Sequence, residues 1–166
     1  MQTNKEKVLR LLEELEIPYE LHEHPPVATV EEALPHWKKI DATHCKNLFF
    51  RNHKGNRHYL VILKHDRQLN IRDLEIRLKQ GKITFASPRR MERYLGVSGG
   101  SVSLFGLVND KEDHVHLFFD AGLKSVSRIS FHPNDNTATV VISFPSLMKF
   151  LEWSGNSYEF IDLYQE

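Results

Sequence analysis

Two short runs, Asn47-Leu48-Phe49-Phe50 and His58-Tyr59-Leu60-Val61-Ile62-Leu63, constrain this 166-residue chain more than any other feature. Both are almost continuously apolar, where a strand with one wet face would alternate. Asn52-His53-Lys54-Gly55-Asn56 between them is hairpin chemistry. Together they predict adjacent strands in a sheet covered on both faces.

The flanking sequence supplies the cover. Thr3-Asn4-Lys5-Glu6 has capping-box spacing, and Val8, Leu11, Leu12 and Leu15 follow on one helical face up to Ile17-Pro18. Tyr19 to His22 reads as a short strand, and Thr29-Val30-Glu31-Glu32 as a second capping box opening a short helix through Leu34. Asn70 caps a helix that ends at Gly81, and Lys82 to Ala86 is a strand. Ser87-Pro88 starts a helix that Gly96 stops. Val115 to Asp120 is a strand, and Ser127 to His132 with Thr137 to Ser143 form a second hairpin. Ser146 to Trp153 is a terminal helix, and Tyr158 to Ile161 adds an optional edge strand. About seven strands and four or five helices, irregularly interleaved with hairpins, predict a mixed α+β fold in one domain, 1–166.

Lys+Arg and Asp+Glu stand at 22 each, so composition shows no bias toward nucleic acid, membranes or acidic partners, and leaves a local basic patch open. The single cysteine, Cys45, excludes an internal disulfide. The opening Met1-Gln2-Thr3-Asn4 reads as a helix start, and no apolar run is long enough to span a membrane. The expectation is a soluble cytoplasmic protein.

Gly96-Val97-Ser98-Gly99-Gly100-Ser101-Val102-Ser103-Leu104-Phe105-Gly106 holds four of the chain's eight glycines. It is either a wide turn or a backbone-lined rim for a carbonyl-bearing or anionic ligand. Lys46, beginning an apolar strand, is either an edge charge or a positioned cation. His132, before Pro133, is solvent-facing or lines a cleft. Arg89, Arg90 and Arg93 share one short helix, either a solvated face or a phosphate-contacting patch. His22/His24 and His114/His116 have i,i+2 spacing but no third ligand, so no metal is expected. Cys45 beside His44 is read as a buried, inert thiol, because neighbours on a strand face opposite ways.

Four segments then combine: His24-Pro25-Pro26-Val27-Ala28-Thr29-Val30-Glu31-Glu32-Ala33, Cys45-Lys46-Asn47-Leu48-Phe49, Gly100 through Asp110, and Phe131-His132-Pro133 through Asn136-Thr137-Ala138-Thr139. In this order and spacing the chain resembles the YbaK and prolyl-tRNA-synthetase-associated editing family, in particular its free-standing deacylases. The resemblance implies a mixed, mostly antiparallel, partly closed sheet surrounded by helices. It implies a cytoplasmic hydrolase, without cofactor, that removes alanine in trans from the acceptor end of proline tRNA, with prolyl-tRNA synthetase as a further partner. Cysteine or another small amino acid as the group removed, or a non-catalytic tRNA- or synthetase-binding role, are the alternatives. Oligomeric state stays open.

The resemblance and the chemistry of the residues together assign roles. Lys46, with the backbone N–H groups of Gly100 and Ser101, would be catalytic: a fixed cation and an oxyanion-type wall running from Gly99 to Val102. Thr29, Asn47, Gly99, Val102, Ser103 and His132 would bind substrate, and Arg89, Arg90 and Arg93 would touch tRNA. Size would select alanine over proline. Relatives commonly carry proline where this chain has Leu104, and the nearest branch often has one at Gly99. Their absence implies a more mobile rim.

Overall fold

The computed structural model describes residues 2–163; Met1 and 164–166, the two ends of the expected domain, lie outside the described residues. The predicted central pair is there. β2 (Thr43–Arg51) and β3 (His58–Lys64) run antiparallel from Cys45↔Lys64 to Arg51↔His58. Their side chains alternate between two apolar layers. Cys45, Phe49, Leu60 and Ile62 enter one, and Phe50, Tyr59, Val61 and Leu63 enter the other. Six of the seven β3 residues are buried, which explains why neither run alternates in sequence.

The first layer is roofed by α1 (Asn4–Glu14) and α5 (Phe144–Ser154). α1 starts on a complete capping box between Thr3 and Glu6 and presses Val8 and Leu12 into the core. α5 begins earlier than expected, because Ser143 caps it and Pro145 fits its first turn. α3 (Ile71–Leu78) covers the second layer, with Leu74 innermost.

α2 (Val30–Trp37) departs from expectation twice. Glu32 reaches back to the Ala28 N–H at 2.9 Å instead of closing the box on Thr29. The helix also runs through Pro35 to Trp37, three residues beyond Leu34. A proline inside a helix removes one hydrogen bond. Here the last turn is retained by burial of Trp37 against Ile40, Ala33 and Val141.

The eight strands of the described residues form one mixed sheet in the order β1-β7-β6-β2-β3-β5-β8, from β1 (Glu20–Glu23), β7 (Ala138–Ser143) and β6 (Arg128–Phe131) to β5 (Val115–Asp120) and β8 (Tyr158–Ile161). Four pairings are antiparallel and three parallel, counting β4 (Thr84–Phe85) on β2. β1 and β8 remain its edges, so the sheet does not close on itself. The site depends on one detail. Opposite β3, β2 pairs with β6 only at Thr43 and His44 and with β4 only at Phe50 and Arg51. Between these contacts the strand edge from Cys45 to Leu48 has no strand beside it among the described residues.

Candidate functional site

A cleft of about 120 Å³ occupies that gap. Lys46 and Asn47 of β2 stand on one side and His132, one residue past β6, on another. Thr29, Ala33 and Trp37 line it from α2 and its cap, and Gly99, Gly100 and Val102 from the glycine-rich segment. Because the cleft opens at an unpaired strand edge, residues from both faces of β2 can line it: Cys45 and Asn47 from one, Lys46 from the other.

The glycine-rich segment divides by cause. α4 (Pro88–Leu95) is capped by Ser87 and ends at Gly96, whose φ of +66° an L side chain rarely adopts. Gly106 is needed for close approach, since a Cβ there would lie 2.8 Å from Leu95 Cβ. Gly99 and Gly100 are under neither constraint. They open a short 3-10 turn, Gly99–Ser101, whose first N–H groups have no partner inside the turn. The N–H of Ser101 closes that turn onto Ser98 O at 3.0 Å, so the expected N–H wall loses Ser101.

The segment is fastened where greater mobility was expected. Leu104 N–H donates to Asn47 Oδ1 at 3.0 Å, a bond that a proline at this position would lack. Ser103 Oγ donates to His132 O at 2.6 Å and accepts from Phe105 N–H. Asn134 Nδ2 donates to Phe105 O. Leu104 is fully buried in the core.

His132 Nδ1 lies 3.2 Å from the Ala138 carbonyl oxygen. A carbonyl only accepts, so Nδ1 carries the proton and Nε2 keeps its lone pair. Burial holds this imidazole below the ordinary histidine range, hence neutral at pH 7. Cys45 is 7% exposed, and burial pushes its thiol far up, away from thiolate. Among the described residues no carboxylate lies within 4 Å of Lys46, and no group of three potential ligands could hold a metal. The cleft therefore offers a half-buried cation, a neutral imidazole with an open lone pair, and backbone donors.

Not every expected site residue arrives there. Ser101 and Ser103 are buried beside the cleft and do not line it, because the turn and the tie to His132 point them inward. The three arginines sit on α4, off the cleft. Arg90 is tied down: its guanidinium donates to Gly55 O at 2.9 Å and to His58 Nε2 at 3.0 Å. Arg89 is exposed, as is Arg93, which lies over the Tyr94 ring. Sequence reasoning missed Trp37, Val27 and Ala33. The available signal was an aromatic two residues after a proline, on a short helix beginning in the Thr29 motif.

A sequence profile of the aminoacyl-tRNA editing domain matches residues 24–150. The chain is 40% identical over 163 residues to a prolyl-tRNA editing protein, ProX, of Acetoanaerobium sticklandii, covering 96% of this chain and 97% of that one. It is 35% identical over 156 residues to prolyl-tRNA synthetase associated domain-containing protein 1 of Xenopus laevis, with 92% of each covered. A crystal structure described as a candidate trans-editing enzyme for prolyl tRNA synthetase superposes with a TM-score of 0.73 at 19% identity, covering 100% of this chain and 99% of that one, a likeness of fold. With the profile spanning most of its length and such a relative matching nearly all of it, the chain belongs to the aminoacyl-tRNA editing domain family and is an aminoacyl-tRNA deacylase.

Proposed function

We propose that this deacylase hydrolyses the ester joining alanine to proline-accepting tRNA. The observation that carries the reading is the convergence of Lys46, Asn47, Gly99, Gly100 and His132 on one small cleft without a carboxylate. Among the described residues three larger hollows, of about 280, 280 and 230 Å³, contain none of the expected catalytic or substrate-binding residues, and only Arg93 of the expected tRNA contacts lines one of them.

An aminoacyl ester is already activated, so the protein's task is to orient it and to stabilise the oxyanion formed on attack. The N–H groups of Gly99 and Gly100 face the ester carbonyl. Lys46 fixes the terminal adenosine's phosphate or that carbonyl as a point charge. The open Nε2 of His132 accepts a hydrogen bond from the attacking hydroxyl or the α-ammonium group. The tRNA's own ribose hydroxyl supplies what a protein carboxylate would otherwise do. The cleft admits an alanyl group and excludes the prolyl ring by size. The acceptor end of proline tRNA is the substrate, prolyl-tRNA synthetase the protein partner, and the cytoplasm the place of work. No helix among the described residues is long and apolar enough to cross a membrane.

Hydrolysis of alanyl-, cysteinyl- and prolyl-tRNA(Pro) tests this. The expected order is alanyl first, with prolyl untouched, and Lys46→Ala lowering kcat/KM by about 10²-fold or more. Wild-type rates in that variant remove Lys46 from the mechanism, and preference for the cysteinyl ester replaces alanine with cysteine.

A further inference from the structure

Four buried side-chain polar atoms among the described residues lack a hydrogen-bond partner: His22 Nε2, Trp37 Nε1, Asn134 Oδ1 and Asn156 Oδ1. Of these residues only Trp37 belongs to the wall of the cleft. It is 6% exposed, and an indole N–H can only donate. Leaving such a donor unpaired is unfavourable, so a buried one in a ligand cleft points to an acceptor that arrives with the ligand.

The indole is rigidly held. It stacks on His44, with ring centroids 4.8 Å apart and planes within 1° of parallel. His44 is itself pinned. Its Nε2 donates to the Ile40 carbonyl at 3.2 Å, so its Nδ1 accepts from the Ser130 hydroxyl at 2.6 Å. That leaves the Ser130 oxygen with free lone pairs.

Behind the cleft is a second, smaller void of about 10 Å³, sharing Trp37, Cys45, Asn47 and His132 with it and adding Ser130 and Thr139. This is room for one water-sized group. Its lining includes Trp37, whose indole N–H is buried and unpartnered, and Ser130, whose hydroxyl oxygen keeps lone pairs. A methyl group would leave both unanswered, whereas a hydroxyl, which donates and accepts, would answer both. A thiol carries a larger atom and a weaker acceptor.

We propose that the site deacylates seryl as well as alanyl esters, with the seryl hydroxyl in the small void and the Trp37 N–H as its hydrogen-bond donor. Trp37 is then a specificity-determining residue. The reaction is ordinary ester hydrolysis. Water adds to the carbonyl carbon, the bond from that carbon to the tRNA's ribose oxygen breaks, and that oxygen takes the proton the water gave up. Free serine and tRNA leave, and nothing is oxidised or reduced. The inference rests on the alanyl reading above.

The test measures kcat/KM for alanyl-, seryl- and cysteinyl-tRNA(Pro) with the wild-type protein and Trp37→Phe. The seryl ester is expected within about tenfold of the alanyl one and ahead of the cysteinyl. Trp37→Phe is expected to lower the seryl-to-alanyl ratio by about tenfold, the usual effect of removing one buried donor from a hydrogen-bonded site. Loss of the seryl ester alone overturns this inference and leaves the alanyl reading standing; inactivity on both overturns the two together. An unchanged ratio removes Trp37 from the assignment. If Trp37→Phe does not fold, the wild-type protein decides. The chain has two tryptophans, and Trp153 is exposed. The Trp37 indole N–H resonance should move downfield with a non-hydrolysable seryl-amide of adenosine and not with the alanyl-amide; equal responses overturn the proposal.

Discussion

Asn47 carries two roles on one amide. Its oxygen takes the Leu104 N–H and so holds the glycine-rich segment against β2, while the residue itself lines the cleft. Substitutions separate the roles. Asn47→Ala leaves the Leu104 N–H without its acceptor, which should cost about 1–3 kcal/mol of stability and lower Tm by several degrees. Asn47→Asp keeps an acceptor at Oδ1 but loses the Nδ2 donors, so it should unfold near the wild-type temperature while hydrolysing ester poorly. Thermal scans beside a deacylation assay check this, and equal stability of the two variants would dissolve the anchoring role. Asn47 was legible in the sequence as a candidate site residue through its place in the Cys45-Lys46-Asn47 motif. Its anchoring role was not, because the partner lies 57 positions away and no local pattern encodes that register.

At the scale of elements, local signals read well wherever the cause was local. The Thr3 cap, the Ser87-Pro88 start, the Gly96 stop and both hairpins follow from residues within a few positions of each other. α2 overran its proline because tertiary burial of Trp37 outweighed a local rule. The partners of Arg90 were illegible for the same reason: they come from the far hairpin. There Arg90 donates to His58 Nε2, which obliges His58 Nδ1–H to donate to His114 Nε2 at 2.8 Å, and Tyr94 packs against both rings. Burial, then His114 and the charges of Arg90, Arg51 and Arg93, lower the His58 pKa to about 4. The unfolded value is about 6.5. With the folded value depressed, this contact is intact above about pH 6.5, and stability falls as pH drops from there toward 4, because only the unfolded chain takes the proton readily. His44 and His132, also lowered, act in the same direction. Urea unfolding between pH 7 and 4.5 should show the decline, and His58→Gln, which keeps an acceptor for Arg90, should flatten it. An undiminished slope in that variant would assign the decline elsewhere.

For the molecule as a whole, the cleft is a product of topology: two strands, β6 and β4, share one side of β2 without meeting, and the candidate functional groups collect in the interval. Fold class was legible because apolar runs and turn chemistry are sequence properties; the position of the gap was not, since it depends on where two distant pairings stop. Charge is also a whole-molecule property, and it bears on how the substrate is held. With 22 residues of each sign, no strong field draws in a polyanion. With Arg90 committed to the hairpin, Arg89 and Arg93 remain on α4, which ends three residues before the rim at Gly99. If the acceptor end runs from α4 into the cleft, about two phosphates are neutralised. The slope of log K against log salt should then be shallow, about −1.4 for a single strand at roughly 0.7 per phosphate. Binding of a non-hydrolysable alanyl-tRNA(Pro) analogue at 50 to 300 mM salt measures it. Arg89→Ala with Arg93→Ala should bring the slope close to zero and weaken binding at low salt, while the rate for bound ester holds, because neither side chain lines the cleft. A slope near −4 would require an extended basic footprint elsewhere, and an unchanged slope in the double variant would take α4 off the path of the tRNA.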